Sequence, residues 1–238
     1  MRTFLAFLLT TLAFAVSAQT LPDGGSLVAV PSIGGGVYTG TVAAGPPPST
    51  TTWDTVNKNA NVVLSNGNLT ASSGTATTAN TSGRGSQTIT TGQKIYGEFT
   101  ATVNTGNSLI GVVNASFSFA NFNYLGIDTN GIGLLPSGGV LYNNGIPASY
   151  SGFTTGDVIS VAVDFNAGLM WWRINAGNWN NSGAANPATG VGGQTIGVTG
   201  NLFWAYGLIY DGATQNAFIG KFSSPFTFSV PAGFSGQP

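Results

Sequence analysis

From Trp53 onward, short apolar or alternating segments recur along the chain, bounded by Gly, Asn, Asp or Ser turns about every eight to twelve residues. Such spacing predicts short antiparallel strands that bury one face each and stack as two layers. Strands are expected over residues 61–64, 68–72, 87–90, 95–103, 108–113, 124–127, 139–142, 158–164, 169–174, 201–210, 217–221 and 226–229. No ten-residue stretch in this region carries the 3.6-residue apolar period of an amphipathic helix. The expected architecture is therefore all-β, an antiparallel two-sheet sandwich of the jelly-roll or concanavalin A-like kind.

The clearest unit is a hairpin. Val158-Ile159-Ser160-Val161-Ala162-Val163-Asp164 leads through Asn166-Ala167-Gly168 into Leu169-Met170-Trp171-Trp172-Arg173-Ile174. Side chains alternate across a strand, so Ile159, Val161 and Val163 share one face with Met170, Trp172 and Ile174 on the partner. Ser160, Ala162, Trp171 and Arg173 take the other face, where Trp171 is placed either on a solvent face or in the concavity of a bent sheet. Trp204 and Tyr206 likewise share one face and are expected in the core, and Trp53 is expected at the domain edge.

Upstream the pattern breaks. Met1-Arg2, an apolar run from Phe4 to Val16 and the small residues Val16-Ser17-Ala18 make a secretory leader over residues 1–18. The run is shorter than the roughly 18 apolar residues of a membrane span, so export without stable membrane insertion is expected, to the periplasm or the extracellular space. Residues 19–51 are dense in Gly and Pro (Gly34-Gly35-Gly36, Pro46-Pro47-Pro48) and read as a linker or arm, the alternative being a strand and loop packed on the domain. Residues 52–238 form the sandwich domain.

Composition narrows the chemistry. Hydrophobic residues make up 42% of the 238, enough for a core, yet charged residues are only 5%, against roughly a quarter in ordinary domains. Six basic residues scattered singly cannot neutralise several phosphates, which argues against a nucleic-acid partner. There is no Cys and no His. Disulfides, thiolate sites, His-based triads and the commonest metal ligand are all excluded by that, and no cofactor is implied. Glu98 is the sole Glu, and Asp23, Asp54, Asp128, Asp157, Asp164 and Asp211 stand singly, so the paired carboxylates of a glycosidase are absent in sequence, although distant Asp residues can meet in a fold. Asp128-Thr129-Asn130-Gly131 offers oxygen ligands around a glycine but lacks the closing Glu of a calcium loop and reads as a turn. Gly190-Val191-Gly192-Gly193 lacks the Lys-Ser or Lys-Thr of a phosphate loop. A non-enzymatic protein is expected.

Several segments occur together in a telling order: Tyr96-Gly97-Glu98-Phe99, Ile110-Gly111-Val112, Tyr124-Leu125-Gly126-Ile127-Asp128, Gly139-Val140-Leu141-Tyr142-Asn143-Asn144-Gly145, Gly156-Asp157-Val158-Ile159, the Asp164 to Asn175 hairpin, and Pro225-Phe226-Thr227-Phe228. Their succession resembles SPRY (B30.2-like) domains of the concanavalin A-like superfamily, over roughly Trp53 to Phe234. Trp53-Asp54, the stretch Leu64 to Thr70 and the insertion Trp179-Asn180-Asn181-Ser182-Gly183 look most like SPRY-type proteins of bacteriophages and prophages. The insertion and the scarcity of charge depart from the animal pattern. The resemblance implies a bent two-sheet sandwich whose loops bind protein or glycan partners, without catalytic apparatus.

Loop aromatics beside amides are the natural candidates for a ligand site, since rings stack on apolar sugar faces and amides meet hydroxyls. They are Tyr142 with Asn143 and Asn144, Trp179 with Asn180, Tyr124 near Asn121 and Asn123, and Trp171 with Arg173. For Trp179 a structural role, pinning the long loop to the sandwich, stands beside the binding one. Two functions follow: a secreted recognition module for a glycan or cell-surface protein, and a self-assembling bacteriophage virion or tail component.

Overall fold

The computed structural model describes residues 50–74, 80–106, 108–120, 123–209 and 215–238, together with the side chains of all but Ile209. The leader, nearly all of the Gly/Pro arm, Asn121 and Asp211 lie outside the described residues.

The chain forms β1 (Trp53–Lys58), β2 (Val62–Ser65), β3 (Thr70–Ser73), β4 (Asn80–Gly85), β5 (Lys94–Val103), β6 (Ser108–Asn114), β7 (Gly131–Leu134), β8 (Gly139–Tyr142), β9 (Gly145–Ser149), β10 (Val158–Asp164), β11 (Leu169–Ile174), β12 (Gln194–Thr195), β13 (Leu202–Ile209) and β14 (Ala217–Lys221). Two short 3-10 turns, Trp179–Asn181 and Pro187–Thr189, are the helical elements among the described residues. The strands make two antiparallel sheets of seven, ordered β1-β4-β13-β6-β7-β8-β9 and β12-β11-β10-β5-β14-β3-β2. An all-β, two-sheet antiparallel sandwich is thus the architecture.

Between the sheets lies a core rich in aromatic rings. Trp53 is fully buried there, its ring centroid 4.6 Å from Tyr206, 4.9 Å from Phe222 and 5.7 Å from Phe99. Trp53 thus puts a core ring on β1, the outermost strand of the first sheet. The β10–β11 hairpin pairs Ile159 with Ile174, Val161 with Trp172 and Val163 with Met170, all facing this core.

Both outer faces are covered as well. Residues 115–120 and 123–130 fold over the first sheet, enclosing Leu109, Val113, Phe117, Leu125 and Phe203. Residues 175–193 and the segment after Phe222 fold over the second, enclosing Tyr96, Ala162, Trp171 and Phe234. Strands of a half-exposed sheet alternate buried and open positions, whereas β6 is buried at every position and β10 at all but its first.

Three expected strands do not form. Residues 124–127 make a turn through Gly126, whose carbonyl accepts from Asn144 N. Residues 226–229 spend the N–H groups of Thr227 and Phe228 on the Glu98 carboxylate, at 2.7 Å each, and not on a strand. Residues 87–90 contribute only an isolated bridge from Ile89 to Leu202.

Candidate functional site

The candidate residues fall into two groups. The first gathers at one end of the first sheet. Tyr142 ends β8, and Asn143 and Asn144 form the two-residue turn into β9 with φ 49° and 56°. A turn with left-handed backbone at both central positions suits the twist of a hairpin, and Asn tolerates that conformation. The turn is tied down through its backbone: Asn143 N donates to Asp128 O at 3.2 Å and Asn144 N to Gly126 O at 2.8 Å.

The phenols fix the neighbouring loops. Tyr124 OH donates to Asn144 Oδ1 at 3.3 Å, and Tyr142 OH donates to Gly197 O at 3.1 Å. Gly197 has φ +69°, and a Cβ there would lie 2.7 Å from the Tyr142 ring, so only glycine lets this loop rest on the tyrosine. Asn114 Nδ2 joins the cluster, donating to Asn130 Oδ1 at 3.2 Å and Thr199 O at 3.0 Å. The connections β6–β7, β8–β9 and β12–β13 thereby converge. Beside them opens a cleft of about 410 Å³ lined by Phe165, Gly168, Thr195, Ile196, Gly197 and Thr199.

The second group lies on the outer face of the second sheet, and most of it is enclosed. Trp171 is fully buried, with its indole N–H donating to Val191 O at 2.9 Å. Asn180 is buried too, its Oδ1 accepting from Trp172 N at 2.9 Å and its Nδ2 donating to Gly192 O at 2.8 Å. Neither side chain is open to a ligand, because residues 175–193 fold back across the face on which Trp171 stands. Trp179 is half-buried: Arg173 lies over its ring at 4.5 Å and Tyr96 meets it edge-on at 6.4 Å. Arg173, also half-buried, donates to Ser229 O at 3.3 Å and stands 5.5 Å from the Phe228 ring.

Sequence reasoning overlooked the anchor of this region. Glu98 is 1% exposed, and its carboxylate accepts from Tyr96 OH at 2.8 Å besides the two backbone N–H groups. Burial, together with the bond to Glu98, pushes the Tyr96 phenol up to about 12, against the opposing bond to Ser160. A solitary Glu inside an apolar strand of so uncharged a chain was the available signal. Asn114, Asn130 and Gly197 were overlooked as well, since their role is to join loops distant in sequence.

The remaining described carboxylates are likewise engaged inside the protein. Asp164 pairs with Lys94 at 2.8 Å, and Asp128 accepts from Asn130 through both oxygens. For Asp54 and Asp157, burial alone would raise the pKa. Hydrogen bonds from Asn57 and Val56 N, with Arg84 nearby, outweigh it at Asp54; those from Thr154 and Asn175 do so at Asp157, and both stay below the ordinary carboxylate value. Among the described residues no group of three or more acidic side chains could hold a metal ion. No described helix is long and apolar enough to cross a membrane.

Two seven-stranded antiparallel sheets with this connectivity make a sandwich whose fold is SPRY-like. The fold is similar to the SPRY domain of human HERC1, at TM-score 0.55 and 16% identity, covering 71% of this chain and 96% of that one. A human SPRY domain matches at TM-score 0.51 and 13% identity, over 70% of this chain and 98% of that one. Stonustoxin matches at 0.52 and 14%, the alignment covering 71% of this chain and 26% of the toxin. By sequence, neither a family model nor a curated protein matches.

Proposed function

We propose that this chain is an exported, non-catalytic recognition module that binds a glycan or a cell-surface protein through the loop end around Tyr142. The observation that carries the reading is the convergence of three connections on Tyr142, Asn143 and Asn144, with both tyrosine rings held in place by their hydroxyls. Rigid aromatics flanked by exposed amides lose little conformational entropy on binding. The SPRY-like fold supports it by analogy alone. Export rests on the leader-like residues 1–18, and the absence of catalysis rests on the lack of His and on described carboxylates that serve internal bonds.

Labelled full-length protein should bind a cell surface, and replacing Tyr142 by Ala together with Asn143→Gly should abolish that binding. Val63→Ser on β2, at the far edge of the other sheet, should leave it intact. Equal binding by all three proteins would overturn the site.

A second reading, a self-assembling virion or tail component, is favoured by the exposed Val56 on β1 and Val63 on β2, 81% and 54% accessible on strands at sheet edges. Open edges offer unpaired backbone groups to a second copy. Co-purification of the chain with phage particles would support it, and a strictly monomeric, particle-free protein would refute it.

A further inference from the structure

Charge, apolar surface and amide placement together say which kind of ligand the Tyr142 end would take. The only charged side chain among the residues that build it is Asp128. An anionic ligand would find no counter-ion there and would meet that carboxylate, whose two oxygens are already engaged by Asn130, and ion-pair complementarity is what steers and registers charged partners. Large apolar side chains are as scarce. Four are well exposed among the described residues, Val56, Val63, Ile146 and Val191; they sit on separate elements, and only Ile146 adjoins this end. Protein interfaces draw most of their energy from clustered apolar or aromatic anchors set in desolvated pockets. This surface offers no such cluster.

What it does offer is amides and phenols. Asn143 is exposed, and its side chain has no hydrogen-bond partner among the described residues. Asn144 is exposed as well; its Oδ1 accepts from Tyr124 and its Nδ2 is uncommitted. Each primary amide can donate twice and accept through two lone pairs, the pattern that adjacent sugar hydroxyls satisfy. The half-buried rings of Tyr124 and Tyr142 stand beside them, Tyr124 packed against the outer-face cluster and Tyr142 against the core and Gly197, each leaving part of its surface open. The cleft of about 410 Å³ lined by Phe165 and residues 195–200 adjoins Tyr142 through Gly197 and provides room for a chain of sugar residues.

We infer that this end binds a neutral glycan, its hydroxyls held by Asn143 and Asn144 and a sugar face resting against Tyr142. The inference rests on the recognition reading above and narrows its ligand from two classes to one. Binding is expected to be insensitive to ionic strength, since no charge pair forms on association.

The test presents the intact protein to immobilised neutral polysaccharides (β-glucan, mannan, galactan and poly-N-acetylglucosamine) beside sialylated and sulfated glycans. Asn143→Gly and Asn144→Gly keep the left-handed turn while removing each amide. Tyr142→Phe removes only the hydroxyl, and matching thermal melts show that the fold survives. The expected result is binding to at least one neutral polysaccharide that changes little between about 0.05 and 0.5 M salt. It should weaken by about tenfold or more in each glycine variant. Binding only to acidic glycans, steep salt dependence, or no glycan binding at all would overturn the neutral-glycan assignment. If a cell-surface protein is bound instead and the same variants weaken it, the recognition reading stands while the glycan class fails. If cell-surface binding is untouched by every variant, both fail.

Discussion

At the scale of single residues, two asparagines of the same loop-rich type do opposite work. Asn143 projects into solvent from a hairpin tip, whereas Asn180 is buried at φ 46° and clamps the insertion to β11 through Trp172 N and Gly192 O. Asn180→Ala would strand both backbone groups in the interior, at a cost of about 2–3 kcal/mol. Urea denaturation should show that loss, while Asn143→Gly should leave the midpoint nearly unchanged. Asp157 gives a pH prediction. Its folded pKa is depressed, so its contribution is complete above the unfolded value near pH 4 and disappears as pH falls through the lower folded value. Asp157→Asn should therefore flatten the acid limb of a stability–pH profile below about pH 4 and lower the plateau at neutral pH. Alternation correctly separated Trp172 from Trp171, since it is a property of the strand itself. It could not reveal that the outer face is roofed by residues 175–193, because nothing in a strand's period reports what a distant loop does.

Among the elements, legibility followed side-chain content. Strands β5, β6, β10, β11, β13 and β14 carry enough Ile, Val, Phe or Trp to declare themselves. Strand β4 does not: Asn-Thr-Ser-Gly-Arg-Gly reads as a loop, yet it lies between β1 and β13 with Thr81 and Ser82 buried and hydrogen-bonded to Leu208 O and Asn123 O. Its small residues are required by large neighbours, the Tyr206 hydroxyl occupying the space a Cβ at Gly83 would need. The reverse error was 226–229, whose apolar alternation is real but whose backbone is captured by Glu98. Strand β6 allows a direct test. A Cβ at Gly111 would collide with the backbone of Ile132 and Gly133 on β7, where no flexible side chain can yield. Gly111→Ala should destabilise by about 2 kcal/mol or more, read as a fall in thermal midpoint. Trp179→Ala should behave differently: losing the ring between Arg173 and Tyr96 should raise amide exchange across residues 176–192 while β10 and β11 stay protected.

For the molecule as a whole, the scarcity of charge, evident from composition alone, governs behaviour in solution. Two ion pairs occur among the described residues, Arg84–Asp54 at 3.8 Å and Lys94–Asp164 at 2.8 Å, and the formal net charge is −1. Stability of the sandwich then comes from apolar burial and hydrogen bonds, which screening scarcely touches. Net charge so near zero also removes the mutual repulsion that keeps most proteins apart. Edge protection must come from local devices instead. β9 has one, Pro147, which cannot donate to an added strand. β2 has no proline; Lys58 Nζ bonds Val62 O, but Val63 stands at 54% exposure on this outermost strand of the second sheet. Self-association through β2 is the expected consequence, persisting at high salt because it is not electrostatic. Sedimentation velocity on Val63→Lys, which places a charge on that edge, should show the associated species diminished at low salt and partly restored as salt screens the new charge. Association unchanged by the lysine would move the contact to another edge, with β1 and its exposed Val56 the next to examine.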